Sequence, residues 1–345
     1  MKATVLEAPR SLVMRDAAGA AIPEAAALVG VELVGVCGSD LKLWRFGSPR
    51  LRLPAVIGHE IVGRLEIAPP AIAHLRGRRV VTTIDVPCFA CPPCRQGRYN
   101  LCDLGRSIGW EVQGGFAEYL AIPREIVEAG GILPVPDGLA DDEAVLAEPI
   151  GCALRGQEVL TIGPDDSVLV IGAGPMGYLH ACLSRLRNAR QIILCDLLAR
   201  RLEQTADAPV DAHLLVDDRF ERTVRDLTKE RGGPDVVIVA AATAEAQTMA
   251  VRLAAKRGRV NFYASLPATE AGRLDINPIH SRELTVVAYR NATAASMQAA
   301  LDLLTARALL TAPLRRAIEP FDRLPRLLER FDRAEVLKPM AAMAA

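Results

Sequence analysis

From Ser167 onward the chain alternates short, largely apolar runs with amphipathic stretches, and this rhythm constrains it more than any other feature. Residues 168–171, 192–194, 236–239 and 259–262 have the length and character of parallel strands buried on both faces. Helical patterns at about 176–187, 219–230 and 244–256 separate them. Such alternation over about 120 residues predicts a doubly wound parallel sheet. The earlier part reads differently: segments such as 29–36 and 78–83, broken by Gly and Pro, predict an antiparallel, β-rich domain. A turn is expected around 134–139 and a helical run over about 141–159. A further helix is expected over 294–306, and then a short mixed tail. At 345 residues, two domains are the natural expectation.

The first strand of the predicted sheet runs into Gly172-Ala173-Gly174-Pro175-Met176-Gly177. Glycines cluster in many turns, but at a strand end that opens a helix they form a dinucleotide fingerprint. Gly172 allows the tight turn, Gly174 lets a pyrophosphate approach the backbone, and Gly177 lets helix and strand pack closely. The diphosphate then rests on a helix N-terminus led by Pro175 and Met176. Asp196 ends the second strand, where its carboxylate can accept both ribose hydroxyls of NAD and repel the 2′-phosphate of NADP; its plainer reading is a helix N-cap. Arg201, five residues on, complicates that choice because it could instead greet a phosphate.

Cys88, Cys91, Cys94 and Cys102 lie within 15 residues of sequence. Four thiolates so close can complete a tetrahedral site, for which zinc is the usual occupant. A zinc ribbon for nucleic acid would normally place two knuckles well apart. A second, dispersed set comprises Cys37, His59-Glu60 and Glu148. Singly, each has a bland reading as a core thiol, a loop histidine or a helix-start carboxylate. Beside a dinucleotide fold and a zinc lobe, they point to a catalytic metal.

Lys and Arg number 41, as do Asp and Glu, so there is no electrostatic reason to expect nucleic acid or an anionic membrane as partner. The N-terminal residues lack the long apolar run of a signal peptide, and no stretch is apolar and charge-free for long enough to span a bilayer. The cytoplasm is the expected compartment, and the eight cysteines are therefore read as ligands or buried thiols before disulfides.

Together these residues resemble the zinc-dependent medium-chain alcohol dehydrogenases, particularly the sorbitol and threonine dehydrogenase branch. The likeness extends over essentially the whole chain. It includes Cys37-Gly38-Ser39-Asp40, Gly58-His59-Glu60, the cysteine lobe at about 87–103, Gly114-Gly115-Phe116-Ala117-Glu118-Tyr119, Glu148-Pro149 and the glycine fingerprint. The resemblance implies an α/β protein with a GroES-like β-rich catalytic domain from 1–152 and 290–345 and a Rossmann NAD-binding domain from 153–289. It implies a homodimer or homotetramer carrying two zinc ions and NAD per chain. Cys37 and His59 are then catalytic-zinc ligands, with Glu60 or Glu148 as the carboxylate ligand. Asp40 orients His59, and Ser39 contacts the substrate hydroxyl and takes its proton into a relay. The implied reaction is hydride transfer between a secondary alcohol and NAD, with zinc as Lewis acid.

Several positions depart from the pattern. Lys42 stands where many relatives carry a relay histidine; it is either a base depressed by burial or a solvated lysine. Arg155, Ala264-Ser265 and the stretch 239–243 also differ, which bears on the relay and the pocket shape. Trp44, Phe46, Trp110, Glu111, Arg290 and Asn291 are the substrate-pocket candidates by resemblance, although aromatic residues are as often core. Charged and amide groups suit a small hydroxyl-rich substrate. Tyr289-Arg290-Asn291 and the 279–284 stretch also look like oxidisers of polyols, cyclitols or sugar acids. Threonine-type amino alcohols and simple alcohols are the alternatives. A catalytically silent NAD-binding zinc protein is disfavoured because no catalytic ligand has been lost.

Overall fold

A computed structural model describes residues 1–16, 25–266, 272 and 274–343. The chain divides into two compact units, 1–152 with 291–307 and 314–345, and 153–290 with 308–313.

The second unit is built on six parallel strands. Their spatial order is Ala212–Leu215, Gln191–Asp196, Ser167–Ile171, Val236–Val239, Arg259–Asn261, Thr285–Val287. This is the doubly wound order in which the first strand lies at the topological switch point. Ser167–Ile171 and Val236–Val239 are buried at every position, which is why they read as continuous apolar runs. The edge strand Ala212–Leu215 was not legible: it is short, contains His213 and is only partly buried.

His180 lies on the helix Pro175–Leu186, fully buried. Gln157 Nε2 donates to its Nδ1 at 3.2 Å and to its carbonyl oxygen at 2.9 Å, and Tyr263 meets the ring edge-on at 4.5 Å. Burial pushes this imidazole down to about 3. Because the folded value is the lower one, its stabilising effect is fully present above about pH 6.5 and is lost as pH falls toward 3. Acidification from pH 7 to pH 5 should cost about 2 kcal/mol through this residue, at about 1.4 kcal/mol per unit below 6.5. Urea titrations at both pH values check this; His180→Met should flatten the dependence, and an equal slope in that variant would refute the assignment.

The first unit is β-rich. Its largest sheet runs Ile132–Pro134, Arg79–Thr82, Glu60–Ile67, Ala25–Gly35, Pro339–Ala342, Ala317–Pro320, with Tyr119–Pro123 also pairing with Ala25–Gly35. The expected helix over 141–159 is two helices, Asp141–Ala144 and Ala147–Glu158. The tail holds more order than its sequence rhythm suggested. Leu324, Leu327, Leu328 and Phe331 form the buried stripe of the helix Leu324–Asp332. After it, Pro339–Ala342 inserts between two strands and pairs Met340 with Gly35.

Candidate metal centre and dinucleotide site

Donor atoms of Cys37, His59 and Glu60 all lie within 4.8 Å of one another. Three local features bring them together. Cys37 immediately precedes the helix Gly38–Phe46, and its amide donates to Asp40 Oδ2 at 2.8 Å. The other oxygen of the fully buried Asp40 faces His59 Nδ1 at 3.2 Å. With Nδ1 turned toward the carboxylate, Nε2 is the ring nitrogen that could bind a metal. Ser39 Oγ stands 3.4 Å from that Nε2. Burial opposes a charged His59, but Asp40 and Cys37 outweigh it and hold the imidazole well above its ordinary value.

Glu60 begins its strand opposite Gly35, and the carboxylate curls over that glycine, where any Cβ would come within 2.1 Å of Oε2. One oxygen is taken by Lys338 Nζ, which also donates to the carbonyl of Val36 at 3.1 Å. Oε1 is buried with no hydrogen-bond partner. A soft thiolate, an oriented imidazole and a carboxylate with a spare buried oxygen fit zinc. Glu148 is not among the three converging donors. It lies on Ala147–Glu158 and accepts from Cys152 Sγ at 3.2 Å, and burial raises it to about 6. Lys42 is half-buried; burial lowers its pKa, with Cys37 opposing.

Cys88, Cys91, Cys94 and Cys102 converge within the same 4.8 Å limit. The amides of Cys91 and Ala90 stabilise the Cys88 thiolate and bring it down to about 6. Burial and Cys91 drive Cys94 up to about 12. A cation shared by all four would favour the thiolate at each. None of the eight cysteines forms a disulfide.

In the second unit the helix Pro175–Leu186 starts directly after Gly174. Gly177 sits where a Cβ would be 1.7 Å from the carbonyl oxygen of Gly172, so strand and helix meet only with glycine there. Asp196 receives the amide of Ala173 at 2.8 Å on one oxygen and that of Leu198 at 2.9 Å on the other. The N-cap-like reading is thus part of its role, yet a carboxylate has about four acceptor positions and two remain for a ribose. Asp196 lines a cavity of about 300 Å³ that also presents Asp217, Glu221 and Glu245. Its one guanidinium, Arg252, is paired with Glu221. Arg201 is not on this lining; it donates to Gln204 Oε1 at 3.1 Å.

The substrate-pocket candidates separate. Trp110 packs its ring on that of His59, centroids 4.9 Å apart. Trp44 is buried in the first unit's core with the Arg10 guanidinium over it at 5.1 Å, because its helix turns that face inward. Phe46, at the helix end, is exposed. The amide nitrogen of Asn291 donates to both oxygens of Asp85 at 2.8 and 3.0 Å and ties two parts of one unit together. Glu111 is held by Arg50 at 2.6 and 2.8 Å; burial opposes its charge, but the guanidinium keeps the carboxyl below its ordinary value. In the second unit Arg155 donates to the carbonyl of Arg290 at 3.0 Å and lies 5.5 Å over Tyr289.

Residues 23–137 match the alcohol dehydrogenase GroES-like domain, and residues 175–306 match the zinc-binding dehydrogenase domain. L-galactonate-5-dehydrogenase of Escherichia coli K12 is 31% identical over 301 residues, covering 85% of this chain and 84% of its own. The chain is a zinc-type alcohol dehydrogenase. Two solved structures extend the likeness of this dehydrogenase over nearly the whole length. RspB of Escherichia coli CFT073, complexed with NADH, shares 25% identity at a TM-score of 0.86, with 99% of each chain covered. A putative zinc-binding dehydrogenase of Sinorhizobium meliloti 1021, bound to NADP, shares 29% at 0.88, covering 99% of this chain and 98% of its own. The dehydrogenase therefore combines a GroES-like domain with a Rossmann-type parallel sheet. Sequence reasoning overlooked Lys338 and Cys152. Cys152 carried a usable signal, being one helical turn after Glu148; Lys338 carried none, lying 278 residues from Glu60.

Proposed function

We propose that this dehydrogenase interconverts a secondary alcohol of a polyol, cyclitol or sugar-derived substrate and its ketone, with NAD as hydride carrier and two zinc ions per chain. The observation that carries the reading is the convergence of Cys37, His59 and Glu60 with Ser39 beside the metal-facing nitrogen of His59. When bound, zinc supplies Lewis acidity at the substrate oxygen and the dinucleotide supplies the hydride acceptor. Cys37, His59 and a carboxylate, Glu60 or Glu148, hold the metal. Asp40 orients His59, and Ser39 takes the substrate hydroxyl proton into a relay, giving up its own hydroxyl proton to water as it does so. The backbone amides before Pro175–Leu186 bind the diphosphate. The second metal, on the four-cysteine lobe, is structural.

The name of the Escherichia coli relative, a galactonate dehydrogenase, supports a hydroxyl-rich substrate. Cysteine-based ligand sets suit a reducing compartment, which supports the cytoplasm. A homodimer or homotetramer completes the reading. Incubating the zinc-loaded enzyme with NAD and a panel of alditols, cyclitols, aldonates, threonine and simple alcohols, while following NADH absorbance, tests it. Faster turnover of simple alcohols than of every polyhydroxylated compound would overturn the substrate class.

For the cofactor, the acidic lining around Asp196 favours NAD over NADP. A 2′-phosphate forfeits a charged hydrogen bond and meets like charge, so discrimination of roughly 2–4 kcal/mol is expected, since charged hydrogen bonds contribute about 1.5–3 kcal/mol each. That is a preference of roughly tens to hundreds of fold. Kinetics with both cofactors on the wild type and on Asp196→Ala measure it. Equal efficiency with NADP in the wild type would remove Asp196 as the determinant.

A further inference from the structure

The first unit has a cavity of about 580 Å³ whose lining includes Arg50, Arg52, Arg106, Trp110 and Glu111. Trp110 links it to the metal centre, because the same indole stands against the His59 ring. The cavity is therefore placed to receive the remote end of a molecule whose carbinol lies at that centre. Its charges are unevenly matched. Arg50 is neutralised by Glu111, and Arg106 by Glu125 at 3.0 Å. Arg52 has no hydrogen-bond or ion-pair partner among the described residues. Three guanidinium groups against two carboxylates leave one positive charge on a concave, partly apolar wall that includes Pro54, Val56 and Val112.

We infer that the substrate carries a carboxylate remote from the oxidised carbon, as an aldonic acid does, and that Arg52 binds it in this cavity. This rests on the polyol-type reading above and narrows it. A guanidinium fork matches a carboxylate in two parallel hydrogen bonds. One uncompensated positive charge suits a monoanion better than the dianion of a phosphate monoester. A neutral alditol of the same length would leave that charge without a partner. Glu111 then acts indirectly, by holding Arg50 in place rather than by receiving substrate hydroxyls.

The test compares an aldonate, the alditol of equal carbon number and that alditol's phosphate monoester, with NAD, on the zinc-loaded wild type, Arg52→Ala and Arg52→Lys. The wild type should favour the aldonate. In Arg52→Ala the ratio of kcat/KM for aldonate over alditol should fall about 10- to 100-fold, the size of one charge-assisted pair. The loss should lie in KM, with partial recovery in Arg52→Lys. An unchanged ratio overturns the inference, and a wild-type preference for the phosphate ester overturns the choice of carboxylate. Calorimetric titration with aldonate decides independently of turnover: weaker binding to Arg52→Ala supports the site, and equal binding refutes it. If no polyhydroxylated compound reduces NAD, the proposed function fails while the titration still judges Arg52.

Discussion

Replacing Cys37 by alanine is expected to abolish turnover while the fold survives. Cys37 is only partly buried and stands at the start of a helix whose other anchor, the bond from its own amide to Asp40, needs no side chain at position 37. What is lost is the one soft ligand of the converging trio. Lewis-acid stabilisation of developing charge contributes several kcal/mol, and about 1.4 kcal/mol corresponds to a factor of ten in rate. A fall in kcat of at least about a thousandfold follows from those two magnitudes. Metal analysis should show one zinc per chain instead of two, the remaining ion on Cys88, Cys91, Cys94 and Cys102, with circular dichroism unchanged. A variant that keeps both ions and its activity would show that the centre lies elsewhere.

The second large effect is expected from Lys338→Met, on stability. Lys338 and Glu60 are each almost wholly buried, and the pair is made across two strands that reach the site from opposite ends of the chain. Burial disfavours the ammonium, but Glu60 outweighs it and raises its pKa. Removing the cation strands a buried carboxylate, a change that typically costs about 3–5 kcal/mol. Methionine keeps most of the volume, so a cavity contributes little. A zinc ion bound to Glu60 replaces part of the lost charge, so the destabilisation should be greater after chelation than in the loaded protein. Urea unfolding of both forms measures this. A loss below about 1 kcal/mol in the chelated protein would mean that Glu60 does not depend on Lys338.

The features legible in the sequence are those whose physics is local. The cysteine lobe is one, because four thiolates within 15 residues can reach a single ion without distant help. The glycine fingerprint is another, since its turn, its close approach and its helix start are set by neighbouring residues. The parallel strands were readable because burial on both faces leaves an unbroken apolar run. The edge strand at Ala212–Leu215 carries no such pattern, and the inserted strand Pro339–Ala342 is apolar but lacks the β-branched residues that mark a strand. Their places are set by hydrogen bonding to neighbours already in position.

The residue types of the converging trio were legible as motifs, whereas the neighbours each side chain meets were decided by tertiary structure. Sequence offered Glu60 and Glu148 as equivalent carboxylates. Folding brings the Glu60 carboxylate, over Gly35, to Cys37 and His59, and engages Glu148 with Cys152. Trp44 and Trp110 were equal candidates until packing sent one into the core and the other against His59. Asn291 was a substrate-pocket candidate, and its amide nitrogen donates to both carboxylate oxygens of Asp85, 206 residues away. The reason is common to all three. Residue type fixes what a side chain can bind, whereas the partner it meets depends on strand register and on chain ends hundreds of residues apart. In this protein the sequence by itself determined the reaction chemistry, and only the fold decided that Glu60 is met by Lys338 and that Arg52 stands in its cavity without an ion-pair partner among the described residues.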